Sequence, residues 1–202
     1  MIRNILFDMG NVLLRYDPDY FIGRVDAPDE DRALLKREVY KSIEWAMMDR
    51  GSITETLAAE RMCARLPERL HPYVHRLVDQ WERPILPIPG MAELCRELKD
   101  KGYTLYLLSN ASLRQHKYWP DIPGSECFSG KVISADIRVV KPQPEFYLYA
   151  LSRFGLRAGE CVFIDDSNLN AEGAAYCGIP AIVFHGDAEK LRDDLRTLGV
   201  GV

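Results

Sequence analysis

With 202 residues, 47% of them hydrophobic, the chain is long enough to bury a substantial core as one domain plus an elaboration, and too apolar to be disordered. Its 26 Lys and Arg are interspersed among 30 Asp and Glu for a formal charge of −4, which leaves no basic face for a nucleic-acid backbone. No apolar run reaches the roughly 18 residues that span a bilayer, and the first residues lack a basic-then-apolar leader, so the expectation is a cytoplasmic protein that binds neither membrane nor nucleic acid.

Arg3–Asp8 is an apolar run that ends in a carboxylate shortly before Gly10, and reads as a buried strand. From about residue 19 to residue 83 the spacing is helical and no strand is convincing. Asp29–Lys41 reads as one helix, Ser52-Ile53-Thr54-Glu55 as a capping box opening a second helix through Arg65, and Tyr73–Glu82 as a third. The proline-rich RPILPIPG of residues 83–90 then blocks helix continuation. Beyond it come a helix at Met91–Lys101, with Leu94 and Leu98 on one face and Gly102 as its stop, and a strand at Tyr103–Ser109. A strand at Lys131–Ser134, a helix at Glu145–Phe154, a strand at Cys161–Asp165, a helix at Ala171–Cys177, a strand at Pro180–Phe184 and a helix at Ala188–Leu198 complete the chain.

Strands alternating with helices predict an α/β fold, a doubly wound parallel sheet with right-handed crossovers. The early helical segment interrupts it, giving expected boundaries of 1–15 and 86–202 for the α/β core and 16–85 for a helical cap. Five cysteines, Cys63, Cys95, Cys127, Cys161 and Cys177, are odd in number, widely spaced and never in a C-x-x-C pair, which predicts reduced thiols rather than disulfides or a zinc site.

In an open parallel sheet ligands bind outside the carboxyl ends of the strands. Those ends here carry Asp8, Ser109-Asn110 and Asp165-Asp166, and Lys141 sits in VVKPQPEFY just before a helix. Clustered carboxylates repel one another unless a cation joins them, and a hard, oxygen-only set suits Mg²⁺, with Asp8, Asp165 and Asp166 as its side-chain ligands. One carboxylate can then attack phosphorus and split hydrolysis into two steps, and Asp8 is the natural nucleophile. Gly10, followed by Asn11, is expected to turn the backbone tightly so that main-chain groups face the metal and the phosphoryl oxygens. Ser109 and Lys141 would hold those oxygens, and Lys141 would stabilise charge during transfer.

FDMGNVL, LLSN, KPQPEFY and FIDDSNLNAEGA, in this order and spacing, resemble the four motifs of the haloacid dehalogenase-like hydrolase superfamily, and the helical segment after the first resembles its small cap domain. FDMGNVL together with LSN and YWPDIP is most similar to a bacterial branch that includes a glucose-1-phosphate phosphatase. The resemblance implies a Rossmann-like sheet in the order 3-2-1-4-5. It also implies Asp8 as nucleophile, Ser109 and Asn110 as the phosphate-binding second motif, Lys141 as the third, and Asp165 and Asp166 as metal ligands joined by the main-chain carbonyl of Gly10. The implied activity is Mg²⁺-dependent phosphomonoester hydrolysis of a small metabolite, a sugar phosphate first, by a monomer or homodimer.

One departure from that pattern matters. Phosphatases of this superfamily carry a second aspartate two residues after the nucleophile as general acid and base, and here that position is Gly10. A sugar 1-phosphate, whose anomeric oxygen leaves more readily than an ordinary alkoxide, would depend less on it. The absence also admits a 2-haloacid dehalogenase, although those members lack the paired carboxylates seen at Asp165 and Asp166. It admits equally a weakly active member that only binds a phosphorylated ligand.

Other residues carry weaker signals. His71 and His75 share a helical face but read as a solvated pair, and Asn170 as either a support for the carboxylates or a helix start. Among Trp45, Trp81, Trp119, Tyr16 and Phe21 some are expected at the mouth of the site. Arg15, Asp17 and Arg50 are cap-side candidates with Trp45.

Overall fold

The computed structural model describes residues 1–202. The chain runs β1 (Asn4–Phe7), then α1 (Pro18–Gly23), α2 (Asp29–Leu35), α3 (Ile43–Asp49), α4 (Glu55–Cys63) and α5 (His71–Asp79). It continues through α6 (Met91–Asp100), β2 (Thr104–Ser109), α7 (Gln115–Tyr118), β3 (Phe128–Ile133) and α8 (Ser134–Ile137). The last elements are α9 (Pro144–Phe154), β4 (Cys161–Asp165), α10 (Asn168–Tyr176), β5 (Ala181–Val183) and α11 (Ala188–Thr197).

The five strands form one parallel sheet in the order β3-β2-β1-β4-β5, as expected. Alternation along the strands divides the buried side chains between two faces. Ile5, Phe7, Leu105, Leu107, Val162 and Ile164 join a large apolar cluster with α6 and α11, whereas Leu6, Leu108 and Phe163 pack with Phe146 and Tyr147 of α9 and Ala174 of α10. The large cluster runs without interruption into the helical insertion through Leu35, Val39, Met62, Leu70 and Val74. Side-chain burial, the main favourable term in folding, therefore joins the insertion to the α/β core.

The insertion departs from the sequence reading in several places, beginning with the short helix α1, which the spacing does not single out. The single helix expected over Asp29–Lys41 is α2 running into a π-helical turn at Lys36–Tyr40. Next comes α3, which the periodicity did not reveal: it is short, Ser42 caps it by accepting from the Trp45 N–H at 3.2 Å, and its first residue, Ile43, is exposed. Thr54, not Ser52, caps α4, leaving Glu55 outside any capping box. No helix is long and apolar enough to cross a membrane, and all five cysteines are free.

Candidate active site

The register puts the chemistry at one sheet edge. Phe7 pairs with Leu107 and with Ile164, so Asp8 emerges one residue beyond β1 beside the ends of β2 and β4, and its N–H donates to the Ile164 carbonyl at 2.8 Å. Between them sits the ammonium of Lys141. It donates to Asp8 Oδ1 at 2.7 Å and to Asp165 Oδ2 at 2.6 Å, and the Lys141 and Asp165 side chains are 1% and 0% exposed.

Each member is held by a neighbour. Asn110 clamps the Lys141 backbone, accepting from its N–H at 2.8 Å and donating to its carbonyl at 3.0 Å. Asn170 donates to both Asp165 oxygens at 3.0 and 3.2 Å, and the Ser167 N–H donates to Oδ1 at 2.8 Å, so helix α10 delivers Asp165 its partners while Ser167 caps the helix. Buried polar groups demand such satisfaction. Asn11 donates to Asp166 Oδ2 at 3.0 Å and accepts from the Tyr16 N–H at 2.9 Å, fastening the turn after β1 to the end of β4.

That turn corrects one expectation. The left-handed residue is Asn11, at φ 53°, and not Gly10. Asparagine tolerates this region because its side chain bonds locally, as it does here. A Cβ at Gly10 would meet only Tyr16 Cβ, at 3.7 Å, so the backbone does not itself require glycine there.

Electrostatically the floor of the site is acidic. Oxygens of Asp8, Asp165 and Asp166 lie within 4.8 Å of one another against a single ammonium. Burial pushes the Asp8 carboxyl up to about 7; Lys141 opposes that shift and Asp165 adds to it. For Lys141 burial favours the neutral amine, yet the attraction of Asp8 and Asp165 outweighs it and the pKa is raised. Three carboxylates outnumber the one ammonium that joins two of them, and an oxygen-only set with this excess of negative charge fits a hard divalent cation such as Mg²⁺.

Above this floor is a cavity of about 340 Å³, within the range of small-molecule sites. Asp8, Gly10, Asn11, Asn110, Lys141, Asp166 and Asn170 line it from below. Ser109 is buried at the end of β2 and does not line it, and Asp165 reaches the site through Lys141. Tyr16, Trp45, Trp81 and Tyr118 form an aromatic wall, with Tyr16–Trp81 centroids 5.2 Å apart and Trp81–Tyr118 centroids 5.6 Å apart. Trp119 instead packs on Phe128 at 5.1 Å, and Phe21 stands behind Trp81.

Arg15, Asp17 and Arg50 lie off the cavity, the first two as an exposed ion pair. His71 bonds the Leu66 carbonyl, and His75 is exposed. Among the residues that escaped the sequence reading are three charged ones. Asp49 of α3 lines the cavity; Glu55 accepts from Ser112 Oγ at 2.8 Å and from the Arg114 N–H at 3.2 Å; and Arg114 in turn pairs with buried Glu82 at 2.7 Å. The last two bind the insertion to the segment after β2.

The sequence matches the haloacid dehalogenase-like hydrolase family over residues 2–178, and the chain belongs to that family. An enzyme of this family from Bacteroides thetaiotaomicron, solved with magnesium and inorganic phosphate, superimposes with a TM-score of 0.73 at 21% identity, covering 95% of this chain and 99% of that one, and so shares its fold. A sesquiterpene phosphatase of Aspergillus oryzae is 28% identical over 86% of this chain and 85% of its own length. Flavin mononucleotide hydrolase 1 of Arabidopsis thaliana is 29% identical over 57% of this chain and 46% of its own. The chain spans less than half the length of the first curated relatives it matches.

Proposed function

We propose that the protein is a Mg²⁺-dependent phosphomonoester hydrolase acting on a small phosphorylated metabolite through an aspartyl-phosphate on Asp8. The observation that carries this reading is the Asp8–Lys141–Asp165 hydrogen-bonded triad at the floor of a cavity wide enough for a small ligand. Asp8 attacks phosphorus, the ester oxygen leaves, and water then releases phosphate from Asp8. Lys141 holds Asp8 in line and offsets charge on the phosphoryl oxygens. Asn110 positions Lys141 and Asn170 positions Asp165, while the peptide groups of Gly10 and Asn11, with Ser109 beneath, shape the phosphate cradle. Asp8, Asp165, Asp166 and the Gly10 carbonyl would hold Mg²⁺. Bound there, it would neutralise the carboxylates and polarise the phosphoryl group.

Residues 16–85 act as the cap in this reading. Trp45, Met48, Val78 and Trp81 of that segment roof the cavity and select the leaving group. Sugar C–H faces stack well on such rings, which supports a sugar phosphate, and Gly10 in place of the second aspartate favours a hexose 1-phosphate, whose anomeric oxygen leaves more readily. The same apolar wall, with the likeness to a sesquiterpene phosphatase over most of both chains, supports a second reading in which the leaving group is an isoprenoid alcohol.

Phosphate release from hexose 1-phosphates, hexose 6-phosphates and isoprenyl monophosphates, with Mg²⁺ or with EDTA, tests both. Mg²⁺-dependent turnover fastest on the 1-phosphates is expected; faster 6-phosphates would refute the sugar assignment, and isoprenyl esters fastest would establish the second reading.

A further inference from the structure

We propose that Asp49, on the helical insertion, is the proton donor to the leaving oxygen that position 10 lacks; this rests on the phosphatase reading. The cavity is lined by three carboxyl groups. Asp8 is engaged by Lys141 and Asp166 by Asn11, on the floor where the phosphoryl group is bound. Asp49 is the third, and its carboxyl has neither a hydrogen-bond donor nor a cationic partner. It stands on the roof among Trp45, Met48 and Trp81, the side on which a leaving group bound through its phosphate must project.

The backbone under Asp49 is fixed to the sheet-bearing part of the molecule, not merely to the insertion. Ser134 Oγ donates to the Asp49 carbonyl and accepts from the Ala111 N–H at 2.9 Å, joining the end of α3 to the residue after Asn110. Two residues on, Gly51 takes φ +70°, and a Cβ there would lie 2.2 Å from the Ala135 carbonyl oxygen. Only glycine allows so close an approach in that conformation. Asp49 is thereby registered against Asn110 and the strand ends, as a catalytic group must be.

Its protonation suits the task. Burial raises the Asp49 carboxyl to about 8, so it carries a proton near neutrality. The two phenols of the wall, Tyr16 and Tyr118, are poor acids, because burial pushes both well above their ordinary range.

The steps balance. Asp8 Oδ bonds to phosphorus as the bond from phosphorus to the ester oxygen breaks, and the Asp49 proton passes to that oxygen, releasing a neutral alcohol. Water then attacks phosphorus and gives its proton to the Asp49 carboxylate, the bond from Asp8 to phosphorus breaks, and inorganic phosphate leaves with both aspartates restored.

A donor matters most when the leaving group is basic. The test compares first-turnover release of leaving group from glucose 1-phosphate, or the fastest aliphatic ester of the panel, with that from p-nitrophenyl phosphate, in the native chain, Asp49→Asn and Asp49→Ser, with Tm recorded for each. The expected result is a loss of about 10²–10⁴ on the aliphatic ester and less than about tenfold on p-nitrophenyl phosphate for both variants, the general-acid range. An equal loss on both esters, or no loss on either, would overturn the role of Asp49 while leaving the phosphatase reading intact. No release of either leaving group by the native chain would overturn both.

Discussion

Lys141 and Asp165 meet at 2.6 Å with essentially no side-chain exposure, and the same ammonium reaches Asp8 at 2.7 Å. A charge so placed cannot be removed without stranding its partners. Lys141→Met should abolish turnover and, in EDTA, lower stability by about 3–5 kcal/mol, the usual cost of breaking a buried ion pair from one side. Denaturant unfolding in EDTA checks the second part, and a loss below about 1 kcal/mol would contradict it.

Asn110 spends both ends of its amide on the Lys141 backbone. Asn110→Ala should therefore act through Lys141: kcat falls at least tenfold, and stability falls by about 1–3 kcal/mol for two lost hydrogen bonds. Unchanged kcat with raised KM would instead mark Asn110 as a direct substrate contact.

Stability should depend on pH through Asp49. Its carboxyl rises from 3.8 to about 8 on folding, so the native state binds the proton more tightly than the unfolded chain. The resulting stabilisation is fully present below about pH 4 and is lost as pH rises towards and through 8. Asp49→Asn cannot lose a proton there. Between pH 5 and pH 9 its Tm should fall less than that of the native chain, and parallel curves would show that Asp49 is charged when folded.

Gly173 of α10 touches the turn that carries Lys141. A Cβ added there would lie 2.7 Å from the Pro142 carbonyl oxygen and 2.9 Å from Pro142 Cβ. Backbone must shift to admit it, so Gly173→Ala should reduce kcat at least tenfold even though alanine favours the helix. Activity within twofold of native would show that the turn yields without moving Lys141.

The sheet and the floor of the site were legible in sequence because strand ends are chemically conspicuous: an apolar run stopping at Asp8, LLSN or FIDD has few readings, and the resemblance placed Lys141. The insertion was not. Helix α3 is only seven residues long with an exposed Ile43 at its start, so its periodicity is weak. Glu55 matched a capping box in spacing, but its carboxylate bonds Ser112 and Arg114, residues far along the chain. Asp49 resembled any surface aspartate. Its one local signal was position, an acid in the last turn of a helix, where the dipole disfavours a negative charge, followed closely by Gly51. Gly10 misled in the other direction, since the turn it suggested is made by Asn11.

Phosphorylation of Asp8 is the step on which the proposed mechanism turns. Its most direct test is acid-quenched transfer of labelled phosphate from a turned-over ester to the native chain and to Asp8→Asn in the presence of Mg²⁺, with the labelled peptide mapped by mass spectrometry. Label is expected on the peptide containing Asp8 in the native chain, with neither label nor phosphate release in Asp8→Asn. Phosphate release that persists in Asp8→Asn, or label on another residue, would contradict it.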